Sequence, residues 1–347
     1  MHQPGDKFLA GVSYVMPVLN EVTHVRAAVE SLLAQDYQGP FEVTLALGPS
    51  IDGTTELVEE MAAVDARIRV VANDAGSTPA GLNIAIRASH YDVVIRVDAH
   101  SVLPPEYARI AVETLERTGA ANVGGIMDAH GVSAFERAVA RAYGTRIGLG
   151  GTPHHVGGVE GAAETVYLGC FRTESILNVG LFDEGVKRGQ DWDLNRRLRE
   201  AGGVVWFTPK LRVLYRPRAT LAQLARQMLS TGLWRGELAR RYPAANGIRY
   251  FVPPVMVLGV TTGVLMGIGG LVQVAMGAIP WLLLGLIVPA GYLFIVAAAT
   301  IAAARPDGFR ASLNFLVVLP CIHFCWGVGF VLGYLKLTSN ITAHTGR

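Results

Sequence analysis

Charged side chains are missing from Phe251 to Ala304, a run of 54 residues without Asp, Glu, Lys or Arg. A fully soluble protein is excluded by that run. Over the whole chain only 17% of residues are charged, against about 25% in an ordinary soluble domain. Cysteine is scarce as well: of the three, Cys170 lies outside the apolar region and Cys321 and Cys325 within it. A disulfide framework is therefore excluded, which fits a reducing compartment. No fixed repeat period is present, so solenoids and propellers are out, and a hydrophobic content of 51% excludes disorder. Met1 to Ala10 lacks a charged segment followed by an apolar core, so no signal peptide is expected there.

The charge that is present is unevenly placed. A net of +2 hides a basic block from Arg196 to Tyr250, with twelve Lys or Arg against two acids (Glu200 and Glu237), a local net of +10. The block runs straight into the apolar stretch. That placement points to anionic lipid headgroups rather than nucleic acid, each basic residue contributing about 1 kcal/mol near the surface. Three segments then follow, near residues 251–276, 280–304 and 313–335, each able to cross a ~30 Å hydrocarbon core at about 1.5 Å per residue. The short link between the first two also permits a re-entrant hairpin. Arg305 and Arg310, together with the basic block, favour a cytoplasmic soluble part and an exoplasmic C-terminus.

Ahead of this region, strand-type runs alternate with helical patterns. Val12–Pro17, Phe41–Leu47, Ile68–Ala72 and Val93–Val97 read as strands. Val25, Ala28, Val29, Leu32 and Leu33 share one helix face, and helices are expected over Thr55–Ala63 and Pro79–Ala88. This alternation defines an α/β fold with a mostly parallel sheet covered on both faces. Ligands in such sheets bind beyond the carboxyl ends of the strands, here Pro17–Glu21, Gly48–Asp52, Asn73–Ala80 and Asp98–His100. Gly144–Gly161 is rich in glycine and carries His154 and His155, the composition of a mobile functional loop. A charged helix is expected over Asp191–Ala201.

Asp98-Ala99-His100 directly follows the fourth strand. A carboxylate and an imidazole two residues apart on a turn can reach one divalent cation, and this oxygen-plus-nitrogen set suits Mn²⁺ or Mg²⁺ on a diphosphate. The competing explanation is a turn cap. Asp191 and Asp193 open a helix, where acids are expected as caps and dipole partners; either could instead serve as a general base, and spacing does not separate them. His154 and His155 are either ligands or solvated loop residues. Cys321 and Cys325 read as packing, and His323 as an ionisable group within a span. Gly263-x-x-x-Gly267 and Gly329-x-x-x-Gly333 are weak cues to helix packing. Leu221–Tyr242 reads as an amphipathic interfacial helix, with Leu221, Leu224 and Met228 on its apolar face. Arg226, Arg235, Arg240 and Arg241 form its basic face, and Trp234 stands where a membrane-belt aromatic would.

Together these segments resemble family 2 glycosyltransferases of the GT-A fold. Val15-Met16-Pro17-Val18-Leu19-Asn20-Glu21 is similar to the family's opening strand and turn, and Ser50-Ile51-Asp52-Gly53-Thr54 to the end of its second-strand signature. Asp98-Ala99-His100 stands where the metal-binding Asp-x-Asp belongs. Leu168-Gly169-Cys170-Phe171-Arg172 through Val179–Glu184 is similar to the acceptor-side segment. Gln190-Asp191 stands at the Glu-Asp motif, which selects Asp191 as base. Gln227 with Trp234-Arg235 loosely resembles the late Gln…Arg-Trp motif. Within the family, Arg96–His100, Gly124-Gly125, Asn195–Leu198 and Tyr215–Arg218 resemble the ExoA-type subgroup of succinoglycan biosynthesis. Three departures stand out: Leu45–Pro49 holds no acid for the nucleotide base, and Gln190 and His100 each replace an acid.

The resemblance implies a membrane-anchored, metal-dependent, inverting hexosyltransferase. It would use a nucleotide-sugar donor, a UDP-sugar first among them, and a polyprenyl-(di)phosphate-linked glycan as acceptor, with Mn²⁺ or Mg²⁺ as cofactor. Its implied residues are Asp191 as base; Asp98 and His100 on the metal; and Pro17, Leu19, Glu21, Asp52, Asn83 and Arg96 around the nucleotide. Gly169, Gln190, Trp192, Trp234 and Arg235 would lie around the acceptor. The expected organisation is a cytosolic catalytic domain over 1–218, a basic interfacial helix region over 219–250 and a membrane region over 251–347. The alternatives are a polyprenyl-phosphate sugar synthase, whose acceptor is the lipid phosphate itself, and a non-catalytic scaffold binding nucleotide or partner transferases. Three spans are few for a processive polymer synthase, and spans without charge argue against a transporter.

Overall fold

The computed structural model describes residues 9–307, 309–338 and 341, with the side chains of 304–311 outside that description. The first half follows the βαβ rhythm. β1 (Val12–Val18), α1 (Val25–Leu33), β2 (Phe41–Leu47), α2 (Thr54–Val64), β3 (Ile68–Ala72), α3 (Thr78–Ala88) and β4 (Val93–Arg96) succeed one another. Next come α4 (Tyr107–Thr118), β5 (Asn122–Ala129), α5 (Ala134–Tyr143), α6 (Arg146–Leu149), α7 (Pro153–Val156), β6 (Gly161–Ala162) and β7 (Tyr167–Arg172). α8 (Thr173–Asn178), α9 (Gln190–Glu200) and β8 (Val205–Tyr215) complete this part. The last helices are α10 (Leu221–Arg241), α11 (Val252–Ala275), α12 (Ile287–Asp307) and α13 (Phe309–Tyr334).

The chain divides into two compact units: residues up to Asp128 with Thr152–Tyr215, and Ala129–Gly151 with everything from Arg216 on. The expected boundary at 218 thus lies close to the second crossing, but the excursion Ala129–Gly151 was not foreseen. The glycine-rich segment expected as one loop is cut between the two units, and it carries the short helices α6 and α7.

In the first unit the strands form one sheet of order β3-β2-β1-β4-β7-β5-β8-β6. β1 pairs in parallel with β2 and β4, and β2 with β3, whereas β4–β7, β5–β7 and β6–β8 are antiparallel. Side chains alternate across the sheet because successive residues of a strand point to opposite faces. Val12, Tyr14, Met16 and Val18 of β1 pack with Val25, Val29 and Leu32 of α1 and with Tyr107 and Leu115 of α4. Val15 and Val94 face the other way, onto Leu82 and Ile86 of α3 and Leu194 and Leu198 of α9. Both faces being covered explains why these strands read as continuous apolar runs.

In the second unit, segments Ile248–Ala275, Trp281–Ala303 and Ser312–Tyr334 are long and apolar enough to cross a membrane. Leu265, Leu271, Phe294 and Ile301 are each more than half exposed on them. Apolar exposure on that scale is untenable in water and natural against lipid. Arg305 and Arg310, part of the basis for orientation, have side chains outside the described residues.

α10 departs from its expected role. From Gln227 to Ala239 it is almost wholly buried, Trp234 is 1% exposed, and it packs along α13. A Cβ on Gly232 or Gly236 would lie 2.1 Å from the carbonyl oxygens of Trp326 and Phe330, and one on Gly333 only 2.0 Å from that of Leu233. Two small-residue faces, one on each helix, therefore let the backbones touch. The cue at Gly329/Gly333 was read from the sequence, and its partner Gly232-x-x-x-Gly236 was not. Trp234 is a core residue rather than a belt residue. The expected basic face is reduced too: Arg240 and Arg241 both pair with Glu237 at 2.6 Å, and Arg235 is buried with its guanidinium 3.6 Å from the centre of the Tyr250 ring.

α5 belongs to the same unit and starts at a capping box, in which Ser133 Oγ accepts from Glu136 N and Glu136 Oε2 accepts from Ser133 N. Its buried residues Ala138, Val139, Ala142 and Tyr143 turn inward in the unit where α5 packs on α13. His323 donates through Nε2 to the carbonyl of Ile147 at 2.6 Å, while its Nδ1 lies 3.2 Å from the Tyr292 hydroxyl. The histidine singled out within the third span thus fastens α6 to α13.

Candidate active site

The carboxyl ends of β1, β2 and β4 place most of the expected residues near one another. Asn20, in the left-handed region at φ 54, starts a brace between the turns after β1 and β2. Its N–H donates to Ser50 Oγ at 3.0 Å, and its Oδ1 accepts from Ile51 N at 2.9 Å. Asp52 completes the brace by accepting from Val22 N at 3.2 Å and from the Thr54 hydroxyl at 2.5 Å. Those bonds, the Thr54 hydroxyl foremost, hold its carboxyl below the usual range. Asp52 thus shapes the strand ends directly. Leu19 lies across the same ends against Gly48 and Gly76, and Pro17 borders Gly81.

Glu21 faces the fourth strand end. Its Oε1 lies 3.2 Å from His100 Nδ1, and its Oε2 lies 3.4 Å from His24. Asp98, two residues before His100, accepts from the Arg96 guanidinium at 2.9 Å. The other arm of Arg96 bonds to Asp191 at the start of α9. Arg96 is only 5% exposed. Burial favours its neutral form, but Asp191 and Asp98 outweigh that and keep it charged, above its ordinary value. Arg96, which the resemblance places around the nucleotide, joins the two carboxylates expected to do chemistry. A strand places residues i and i+2 on one side, so the Arg96–Asp98 half of this bridge was open to sequence reasoning. The Asp191 half was not.

The two acids of α9 are now distinct. Asp193 is 1% exposed and accepts from Arg196 and Arg197, each at 2.9 Å. It is a structural ion-pair centre within its own helix. The Asp191 side chain is 40% exposed, open to a reactant. Trp192 between them is buried, and Gln190 is the first residue of the helix.

Asn83 and Gly169 have other occupations. The Asn83 amide donates to the Phe182 carbonyl and to Glu184, and accepts from Phe182 N, all at 2.9 Å. It braces the loop leading to α9 from inside the core. A Cβ on Gly169 would sit 2.1 Å from the Phe171 ring, so close packing of β7 requires glycine there. Trp234 and Arg235 belong to the second compact unit.

Among the described residues no group of three or more His, Cys, Asp or Glu side chains forms a ready metal cage. Asp98 and His100 offer one carboxylate and one imidazole on a single turn. That set fits a divalent cation carried mainly by phosphate oxygens, as hard cations at diphosphates are.

The doubly covered, partly parallel sheet with acids at its strand ends has the architecture of the GT-A fold. The glycosyl transferase family 2 pattern matches residues 13–167. Succinoglycan biosynthesis protein ExoA of Rhizobium meliloti (strain 1021) is 33% identical over 313 residues, 87% of this chain and 94% of that protein. The chain belongs to glycosyltransferase family 2. Among solved structures, mannosyltransferase PcManGT from Pyrobaculum calidifontis, in complex with GDP-Man and Mn²⁺, matches with a TM-score of 0.60 at 16% identity. That match covers 96% of this chain and 89% of the other, and it supports the fold.

Proposed function

We propose that this glycosyltransferase is a membrane-anchored inverting enzyme of exopolysaccharide or cell-envelope synthesis. It moves a hexose from a nucleotide-diphosphate sugar to a polyprenyl-(di)phosphate-linked glycan. The observation that carries this reading is the convergence on Arg96 of Asp98 and Asp191, from the end of β4 and the start of α9. Kinship with ExoA supports the pathway class.

The nucleotide lies over Pro17, Leu19, Glu21 and the Asp52 turn, with Asn83 acting through the loop it braces. Asp98 and His100 hold Mn²⁺ or Mg²⁺, which when bound supplies Lewis-acid stabilisation of the diphosphate leaving group. The half-exposed Asp191 accepts the proton of the acceptor hydroxyl as that oxygen attacks the anomeric carbon. One displacement inverts the configuration and expels nucleoside diphosphate. Gln190 and Trp192 set the acceptor side of the same helix start, and Gly169 shapes it by keeping β7 tightly packed. Trp234 and Arg235 contribute by holding α10 in place. The catalytic unit faces the cytoplasm, as the basic residues ahead of the first span favour.

The test is nucleoside diphosphate release by the full chain in detergent, across UDP- and GDP-sugars, with Mn²⁺ or Mg²⁺ and a membrane lipid extract. Lipid-dependent release that falls about 10²–10⁴-fold in Asp191→Asn and is lost in Asp98→Ala supports the reading. Release that persists in Asp191→Asn with a bare lipid phosphate would favour a polyprenyl-phosphate sugar synthase. No release from any donor would favour a scaffold.

A further inference from the structure

Arg96 is a buried cation shared by two carboxylates that the proposed mechanism uses for different purposes. Asp98 faces the donor diphosphate, and Asp191 faces the acceptor. Their side chains are 21% and 40% exposed, whereas that of Arg96 is 7% exposed. The guanidinium therefore sits behind the site and reaches both acids from inside the fold. A guanidinium can do this because its planar fork presents several donors at fixed angles. A lysine ammonium at the same place would serve one acid at a time.

We propose that Arg96 is a positioning residue that couples cation capture at Asp98 to the state of Asp191. The proposal rests on the reading of Asp98 as a metal contact and Asp191 as the base. With no cation, Arg96 ties the two acids together. A divalent cation competes with the guanidinium for the same Asp98 carboxylate and weakens that end of the bridge. Arg96 then holds Asp191 as its principal partner, fixed where the acceptor hydroxyl arrives. Donor loading thereby prepares the acceptor side without any group passing between the two substrates. Linkage makes the effect reciprocal: whatever changes the hold of Arg96 on Asp191 must change cation affinity at Asp98, although Asp191 is no ligand.

Mn²⁺ binding to the full chain in detergent, followed by electron paramagnetic resonance without nucleotide and with UDP or GDP, tests this coupling directly. Asp191→Asn leaves Arg96 with Asp98 as its remaining acid here, and Mn²⁺ affinity is expected to fall about fivefold or more. Arg96→Gln is expected to tighten Mn²⁺ binding while transfer is lost. In the Arg96→Gln background, Asp191→Asn should shift affinity by less than about twofold, since a double-mutant cycle isolates the pairwise contribution. Arg96→Lys keeps the charge but not the fork; it should also abolish the coupling, and it serves if the glutamine variant fails a thermal-melt check. An equal effect of Asp191→Asn in every Arg96 background overturns the coupling, leaving only the direct field of a lost charge. Mn²⁺ binding that survives Asp98→Ala overturns the metal reading itself.

Discussion

The two compact units are held together by opposite means. In the first, directional polar bonds of side chains fix the working parts: Arg96 to Asp98 and Asp191, Asn83 to the Phe182 backbone and Glu184, Ser13 and His90 to Glu42. In the second, α10 and α13 meet where side chains are absent, at Gly232 and Gly236 against Gly329 and Gly333. Each is a response to its surroundings. A sheet with polar strand ends can afford directional bonds because water and ligands complete them. Where α10 crosses the third span, small residues on both helices let the backbones approach closely. The braced strand ends should accordingly be sensitive to loss of a polar atom, and the α10–α13 crossing to gain of a methyl group.

The largest effect should come from Asp193→Asn, which removes the acid from a buried pair with two arginines and should cost about 3–5 kcal/mol. Chemical denaturation of the full chain checks it, and a loss below about 1 kcal/mol would place α9 outside the polar-bond rule. Next is Gly232→Ala with Gly236→Ala. Helix propensity alone favours alanine by about 0.8–1 kcal/mol per site, whereas forcing methyl groups against carbonyl oxygens costs about 1–3 kcal/mol. Thermal unfolding in detergent should show a net loss, and stabilisation would mean that the crossing is loose. Asn83→Ala leaves Phe182 N without its buried acceptor and should cost about 1–3 kcal/mol, with a rise in donor KM if the loop it braces shapes the site. Steady-state kinetics beside a melt separate those two effects.

The smallest effect concerns acid. Glu42 is buried, which favours its protonated form, but bonds from Ser13 and His90 outweigh burial and hold its carboxyl below the ordinary glutamate range. Its contribution is therefore present above the unfolded glutamate value and is lost as pH falls through the lower folded one. Melting temperature should drop over that acidic window, and the drop should shrink in Glu42→Gln.

What could be read from the sequence followed the same divide. β1 to β4 and the helices between them were legible because doubly buried parallel strands are unbroken apolar runs between clear turns. The antiparallel half was not. β5 carries Gly124 and Gly125 where the backbones of Leu168 and Leu211 press in, and β8 contains Pro209, so neither shows a clean period. In the site, the individual acids were legible but their meeting through Arg96 was not, since α9 lies nearly a hundred residues downstream of β4. α10 misled for a related reason: its arginines suggested an exposed face, while the glycines that bury it carry no hydropathy signal.

The excursion Ala129–Gly151 has a practical consequence for anyone cutting the gene. A truncation near residue 218 intended as a free catalytic fragment would keep α5 and discard α13. α5, with its buried Ala138, Val139, Ala142 and Tyr143, would then be left without the helix it packs on in that unit, in the middle of a fragment whose sheet closes only afterwards with β6, β7 and β8. During synthesis the same order holds, because the ribosome delivers α5 and α6 well before their companions. Until the third span emerges, the amphipathic α5, which carries Glu136, Arg137 and Arg141 beside its buried apolar residues, lacks the helix it packs on. A soluble derivative should therefore be made by replacing residues 129–151 with a short linker as well as ending the chain before α10.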